Sequence, residues 1–226
     1  MKINPQSLSN TLLFKNIDEP SILKLCECLS AKKFSYEKDS FIFHAGEPVQ
    51  SVYLILSGSA HIIEEDFWGN RSIIETMRQG TFFGEAYVFA GIKKQLVTVI
   101  TAEDSSILVM NPSRLYESCS KRCEIHHTLI QNTTHILAKK IVLLTQKVGH
   151  VIQRTTRAKL LSYLSHCAQQ ANSNSFYIPY SRQQLADYLS VDRSALSHEL
   201  SKIKTEGMVR YRKNHFELLE DRNRWP

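Results

Sequence analysis

The chain has 226 residues, 42% of them hydrophobic, and a formal net charge of +6. This length and composition predict one or two globular domains, and the mild basic excess fits a polyanionic partner without establishing one. The sequence argues against a membrane protein, because no apolar run approaches the roughly 18 residues of a membrane span and the N-terminus lacks the regions of a signal peptide. Five cysteines at irregular spacing favour a reducing compartment, so we expect a soluble cytoplasmic protein.

Residues 1–33 are predicted to be helical and to pack as a lid on the domain that follows. Their apolar set is Leu12, Leu13, Ile17, Ile22, Leu25 and Leu29. Over residues 34–110 the pattern changes to short β-type runs, with glycines at loop-like positions roughly every ten residues. These glycines are Gly46, Gly58, Gly69, Gly80 and Gly84. The spacing predicts an antiparallel sandwich or jelly-roll barrel, which Pro112–Ser120 should close.

The segment CSKRCEIHH, which follows the predicted barrel, contains candidate metal or redox ligands. In a helix, Cys119 and Cys123 share one face at positions i and i+4, and His126 or His127 lies one turn further on. Two thiolates and an imidazole can hold zinc or iron, and the cysteine pair can act as a thiol switch. A fourth ligand would have to come from elsewhere, and the candidates are Cys26 or Cys28. Buried, inert cysteines are the alternative, and no metal is assigned.

A long helix with an apolar seam is predicted next. The seam residues alternate spacings of four and three, which is the heptad pattern of a two-stranded coiled coil. They are Ile130, Thr134, Leu137, Ile141, Leu144, Val148 and Val151. We expect the helix to form a dimer; the alternative is a helix packed on its own barrel. Residues 153–156 interrupt the seam and form the predicted hinge to a further helix, Thr156–Gln170.

Two short helices separated by a tight turn are predicted over residues 180–207. Ser181 and Gln184 form a capping box at the start of the first. That helix should run from about Arg182 to Leu189, and Asp192 can cap the second. Leu196, Leu200 and Ile203 give the second helix an apolar face. Its opposite face is polar, mostly small and without a carboxylate, and consists of Arg193, Ser194, Ser197, His198, Ser201 and Lys202.

This polar face suits the major groove of DNA. Small hydroxyl side chains let a helix backbone approach the base edges, and Arg193 can grip guanine O6 and N7 with two hydrogen bonds. The alternative is an ordinary surface helix pair. The agreement of caps, turn length and an acid-free face favours DNA recognition.

The helix pair, followed by strands predicted over Met208–Leu219 around a turn at Lys213–His215, resembles the winged helix-turn-helix of the Crp/Fnr transcription regulators. The glycine after Val52–Ser57 and the FGE sequence at Phe83–Glu85 resemble the cyclic-nucleotide-binding domain of the same family. The resemblance covers about residues 14–219. It implies an α+β fold with an N-terminal β-jelly-roll, cyclic-nucleotide-binding-like sensor domain at 1–124, a long dimerisation helix and hinge at 125–154, and a C-terminal winged helix-turn-helix DNA-binding domain at 155–226.

The resemblance also implies an effector pocket. Its residues are Gly84, Glu85, Gln95, Leu96, Leu144 and Thr145. In cyclic-nucleotide binders of this family the glutamate accepts from the ribose, and an arginine about ten residues later pairs with the cyclic phosphate. Here Gln95 stands at the arginine position, and each charge-assisted bond to a phosphate is worth about 1.5–3 kcal/mol. Lys93 and Lys94 can substitute only partly. Cyclic AMP is therefore not expected, and the effector is unknown or the pocket is vestigial.

The expected function is that of a homodimeric transcription regulator. The resemblance assigns base reading to Arg193, Ser194, Ser197 and His198. We expect phosphate contacts from Ser181, Arg182, Lys202 and Lys204. Its partners would be a roughly palindromic double-stranded DNA site, RNA polymerase and a small-molecule effector. Since Ser194 and His198 replace the glutamate and arginine of many members, the preferred DNA sequence is not predicted.

Two other functions stay open. One is a cyclic-nucleotide-binding regulatory module that acts on a protein partner, and the other is an enzyme with Cys and His chemistry. The sequence contains no Gly-rich phosphate loop ending in Lys-Ser/Thr, no HExxH and no GxSxG. An enzyme is therefore not expected.

Overall fold

The computed structural model describes residues 3–65, 68, 71–113 and 124–219. It divides into two compact units, Met1–Ala138 and Lys139–Pro226. In the described part of the chain, no helix is both long enough and apolar enough to span a membrane.

The first unit begins with two helices, α1 (Pro5–Ser9) and α2 (Glu19–Cys28). Asp18 caps α2, because its carboxylate accepts a hydrogen bond from the Ser21 amide at 2.7 Å. The apolar residues of this segment pack against the strands that follow, in one cluster that includes Leu13, Phe14, Ile17, Ile22, Leu25, Leu29, Val52, Leu54, Phe82 and Leu108. Leu12 differs from the expected apolar set, since it is 45% exposed.

Two four-stranded antiparallel sheets form the rest of the first unit. The strands are β1 (Lys32–Tyr36), β2 (Phe41–Phe43), β3 (Val52–Ser57), β4 (Ser59–Glu65), β5 (Arg71–Arg78), β6 (Phe82–Phe83), β7 (Thr98–Thr101) and β8 (Ser105–Met110). One sheet has the order β1-β8-β3-β6 and the other β2-β7-β4-β5. Buried side chains from both sheets form a second cluster, in which the rings of Tyr53 and Phe83 stack at 5.0 Å. This is the β-jelly-roll that the sequence predicts.

Gly58 occupies the tight link between β3 and β4. Its φ of 82° is in the left-handed region, and an added Cβ would lie 2.6 Å from the carbonyl oxygen of Asp104 and against the Ser105 side chain. We therefore expect Gly58→Ala to lower the free energy of unfolding by at least about 1 kcal/mol. Chemical denaturation followed by circular dichroism measures this change.

Gly149 provides the matched control for that substitution. It lies in a helix, and an added Cβ there would meet nothing within 4 Å. Gly149→Ala should leave stability unchanged or raise it by up to about 1 kcal/mol, because alanine is the better helix former. Equal stability losses for the two variants would contradict the steric argument.

A short helix, α3 (Glu85–Phe89), follows β6, and a 28-residue helix, α4 (Glu124–Val151), runs from the first unit into the second. Within the first unit, Leu129, Thr133 and Ile136 are buried. The Asn132 side chain donates hydrogen bonds to the carbonyls of Leu13 and Lys15, at 3.0 and 2.8 Å. One face of α4 therefore packs on its own unit. The predicted barrel-closing segment, Pro112–Ser120, lies mostly outside the described residues.

The second unit contains three further helices and three strands. They are α5 (Thr156–Ala171), β9 (Ser175–Tyr177), α6 (Arg182–Leu189), α7 (Arg193–Thr205), β10 (Val209–Arg212) and β11 (His215–Leu218). The Thr155 hydroxyl caps α5 by accepting from the Ala158 amide at 3.1 Å. The strands form an antiparallel sheet in the order β10-β11-β9. The wing turn is Lys213–Asn214, so His215 begins a strand instead of belonging to the turn.

Candidate nucleic-acid interface

Local hydrogen bonds fix both helices of the predicted helix-turn-helix. Ser181 and Gln184 form the complete capping box of α6, with bonds of 2.8 and 3.3 Å. The Asp192 carboxylate accepts from the amides of Ser194 and Ala195, at 2.8 and 3.0 Å, and so caps α7. These bonds hold the pKa of Asp192 below its usual range, and the hydrogen bond from the Ser194 hydroxyl is the main cause.

Helix α7 presents one apolar and one polar face, as the sequence predicts. Leu196, Leu200 and Ile203 are buried against the core of the second unit. The opposite face is exposed along the whole helix and consists of Arg193, Ser194, Ser197, His198, Ser201 and Lys202. The hydroxyls of Ser197 and Ser201 donate to carbonyls one turn earlier, at 2.9 and 3.0 Å, so their oxygen lone pairs remain available to outside donors.

Two carboxylates border this face. Asp192 is exposed at the start of α7, where its bonds to the helix N-terminus compensate its charge. Glu199 is half-buried and lies 3.4 Å from the Lys202 ammonium. The lysine end of this salt bridge is exposed, so Lys202 can leave Glu199 and bind another anion at little cost in free energy. Neither acid places an unpaired negative charge at the centre of the face.

A basic cleft lies beside the helix-turn-helix, between the start of α6 and the wing. Its volume is about 850 Å³. It is lined by Tyr177, Ser181, Arg182, Arg212, Lys213, Asn214 and His215. None of these described lining residues is acidic, so the cleft attracts anions. Tyr177 is 79% exposed and its ring lies 4.6 Å from that of His215.

Arg182 connects α6 to the wing. Its guanidinium lies 5.0 Å from the ring centroids of both Tyr211 and Phe216, and Nη2 donates to the Lys213 carbonyl at 2.8 Å. Burial lowers the pKa of this guanidinium. The second terminal nitrogen, Nη1, is buried and has no hydrogen-bond partner among the described residues. Arg182 thus holds the wing in place, and its assignment as a phosphate contact stays a prediction.

Five residues that line the cleft were not among the predicted DNA contacts: Tyr177, Arg212, Lys213, Asn214 and His215. Arg212 and Lys213 belong to the basic run RYRKNH, which was a visible signal in the wing. Tyr177 carried no such signal, because the pairing of β9 with β11 brings it beside His215 over a long sequence separation. Lys204, which was predicted, lies 5.3 Å from the Tyr211 ring and is exposed.

The predicted effector residues fall into two groups. In the first unit, Glu85 and Gln95 are each only 2% exposed, whereas Leu96 is 65% exposed. Gly84 has a φ of 82°, and an added Cβ would lie 2.9 Å from the Tyr53 ring. Both side-chain amide atoms of Gln95 are buried without a hydrogen-bond partner among the described residues. Leu144 and Thr145 belong to the second unit and are exposed.

The predicted metal or redox segment is only partly described. Cys119 and Cys123 lie outside the described residues. His126 is buried, and His127 contacts the Gln131 amide at 3.0 Å. Burial raises the pKa of Cys26 to about 11, which opposes the thiolate form that a metal requires. Within the described ranges, no group of three or more potential ligands is arranged to hold a metal.

Comparisons with known proteins agree with this architecture. Residues 33–122 match the cyclic nucleotide-binding domain and residues 158–223 match the Crp-like helix-turn-helix domain. The cAMP-activated global transcriptional regulator CRP of Salmonella typhimurium is 18% identical over 178 residues, which are 77% of this chain and 83% of that protein. The cAMP-activated global transcriptional regulator Vfr of Pseudomonas aeruginosa is 24% identical over 181 residues, with the same coverage.

Solved structures show the same fold at low sequence identity. The c-di-GMP-responsive global regulator CLP of Xanthomonas campestris has a TM-score of 0.57 and 18% identity, over 90% of this chain and 100% of that one. DNR of Pseudomonas aeruginosa has a TM-score of 0.50 and 20% identity, over 99% and 98% of the two chains.

A jelly-roll of the cyclic-nucleotide-binding class, joined by a long helix to a winged helix-turn-helix, defines a two-domain DNA-binding transcription regulator. More particularly, the chain belongs to the Crp/Fnr family.

Proposed function

We propose that this protein is a homodimeric, sequence-specific transcription regulator whose DNA binding is controlled by a signal received in the jelly-roll domain. The observation that carries the proposal is the polar face of α7, which is exposed over its full length beside a basic cleft. Arg193, Ser194, Ser197 and His198 read bases in the major groove. Ser181, Arg182, Lys202 and Lys204 contact phosphates, joined by the wing residues Arg212 and Lys213.

The exposed seam of α4 supports the homodimer. Beyond the part that packs on the first unit, Ile141, Leu144 and Val148 are 64%, 62% and 48% exposed. A row of large aliphatic side chains in water is unfavourable, and a second copy of the helix covers it at heptad spacing. Val142 and Leu143 are also about half exposed, so the apolar surface is wider than a strict two-stranded seam. A two-fold dimer presents its recognition helices to successive major grooves, roughly 34 Å apart, and so requires a nearly palindromic site.

The proposed division into domains places the sensor at 1–124, the dimerisation helix and hinge at 125–154 and the DNA-binding domain at 155–226. The effector acts on the sensor and shifts the population of dimers toward one spacing of the recognition helices. The regulator works with RNA polymerase in the cytoplasm.

The effector differs in chemistry from cyclic AMP. Gln95 provides a neutral amide where a cyclic phosphate needs a cation, and its buried side chain cannot neutralise a phosphate. The amide is buried without a hydrogen-bond partner in the described part of the chain, a situation that costs about 1–3 kcal/mol and is relieved when a ligand or water pairs with it. The pocket residues Gly84, Glu85, Leu96, Leu144 and Thr145 remain part of this proposal.

Enrichment of binding sites from a random duplex pool tests the proposed function. The full-length protein is used at one stated salt concentration, with and without cyclic AMP, and with and without reductant. We expect a two-fold symmetric site with guanine in each half-site, enriched equally with and without cyclic AMP. Dependence on reductant would direct attention to Cys119 and Cys123. Failure to enrich any site under all four conditions would favour a regulatory module that acts on a protein partner.

A further inference from the structure

The last turn of α4 carries a buried histidine that packs on the DNA-binding unit. His150 is only 5% exposed, and its Nδ1 lies 2.8 Å from the hydroxyl oxygen of Ser162 on α5. Its ring lies edge-on to that of Tyr163, with centroids 5.8 Å apart, and 6.4 Å from the ring of Tyr188 on α6. These contacts dock the end of α4 against α5 and α6, just before the link at residues 152–155.

A second histidine faces the first. The His166 ring lies 5.5 Å from the His150 ring, centroid to centroid. The Nε2 atoms of both rings are buried and have no hydrogen-bond partner among the described residues. A proton added to either Nε2 would therefore have no acceptor, and two protonated rings would repel each other at short range.

The described residues that contact this pair offer no compensating negative charge. From α5 they are Ser162, Tyr163 and His166, and from α6 Tyr188. Lys147, on α4 itself, adds a positive charge 5.6 Å from the Tyr188 ring. Next to Tyr163 lie Cys167, on α5, and Tyr180, which precedes α6; burial raises the pKa of all three, so they stay neutral at physiological pH. Burial, and then the neighbouring His166, lower the pKa of His150.

We propose that His150 and His166 form a proton-sensitive latch, which holds the end of α4 on the DNA-binding unit when both imidazoles are neutral and releases it in acid. The effect of this latch on DNA binding rests on the proposed function. When the end of α4 is released, the recognition helices of a dimer lose their fixed spacing and operator affinity falls. The protein then senses protons at its hinge, independently of any effector in the jelly-roll.

The direction of the pH dependence follows from the lowered pKa of His150. A released histidine titrates near its ordinary pKa of 6.5, whereas the docked ring resists protonation. The docked arrangement is therefore fully favoured above pH 6.5 and is lost as pH falls through and below that value. At pH 5.5, protonation of the released His150 can favour release by at most about tenfold in each protomer.

Histidine ring titration by NMR tests the latch without DNA. In the full-length protein we expect the His150 signals to titrate below pH 6.5 and the Tyr163 and Tyr188 signals to change in the same step. Titration of His150 at or above its ordinary value would overturn the proposal. This measurement needs no variant beyond those used for assignment.

Operator binding between pH 7.5 and 5.5 tests the consequence. The wild type should lose about tenfold or more in operator affinity over this pH range. His150→Phe keeps an aromatic ring and cannot bind a proton, so its affinity should fall markedly less. His166→Gln is the second variant if His150→Phe does not fold. His135→Phe, at an exposed position of the same helix, should behave as the wild type. A positive charge gained on the exposed face of α7 would strengthen binding to DNA, so it cannot mimic an acid-induced loss.

The NMR titration and the operator-binding measurement together distinguish failure of the latch from failure of the proposed function. A protein that shows the NMR transition but binds no operator at any pH would contradict the proposed function and leave the latch intact. A protein that binds its operator equally at pH 7.5 and 5.5 would overturn the latch and leave the proposed function intact.

Discussion

Ile141→Glu should convert the proposed homodimer to a monomer and abolish tight operator binding. Ile141 is 64% exposed at the centre of the predicted seam, so the substitution costs little in a single chain. In a dimer it places two carboxylates opposite each other in an apolar contact, which is strongly unfavourable. A monomer engages only one half-site, so we expect affinity for the full site to fall about 100- to 10,000-fold. Analytical ultracentrifugation and fluorescence anisotropy with labelled duplex measure the two effects.

Lys139→Glu is the control for that experiment. It introduces the same side chain two residues earlier on α4, at an exposed position outside the seam. It should leave the protein dimeric. If Ile141→Glu stayed dimeric as well, α4 would not pair through this seam.

Arg193→Ala should relax base preference at one position of each half-site. Arg193 is exposed at the first turn of α7, and the Asp192 cap fixes where that turn begins. Loss of a two-bond contact to guanine costs about 1–3 kcal/mol, or roughly 5- to 150-fold for each half-site. Competition among duplexes with each of the four bases at that position measures the change.

Lys202→Ala is the matched comparison, because its ammonium is predicted to meet a phosphate. It should weaken binding to all sequences alike and reduce the salt dependence by about one charge per protomer. If Arg193→Ala gave that same uniform pattern, its guanidinium would contact only phosphate.

The helix-turn-helix could be predicted from sequence because its signals are local. The cap at Ser181 and the cap at Asp192 each act within three residues, and both helices begin where these caps indicate. The seam of α4 was also visible, since helical periodicity is a local pattern. The exposure of this seam could not be predicted, because the same helix packs another face on the first unit through Leu129 and Ile136.

Long-range contacts account for what sequence reasoning missed. Strand β9 has only three residues, and its pairing partner lies about 40 residues later, so no local pattern marks it. The stacking of Arg182 had no local signal either, because its partners Tyr211 and Phe216 belong to the wing. The His150–His166 pair joins two helices across a break in the seam, and single-helix periodicity does not predict such a pair.

The pairing of β9 with β11 also determines when the DNA-binding unit can mature during synthesis. Phe176 and Phe216 stack at 6.3 Å across this pair, and the Leu218 amide donates to the Asn174 carbonyl at 2.8 Å. Until the chain has been synthesised through residue 218, β9 lacks its pairing partner β11 and the core lacks Phe216. The core of the DNA-binding unit is therefore complete only when the wing has been translated, although α7 precedes the wing in the chain.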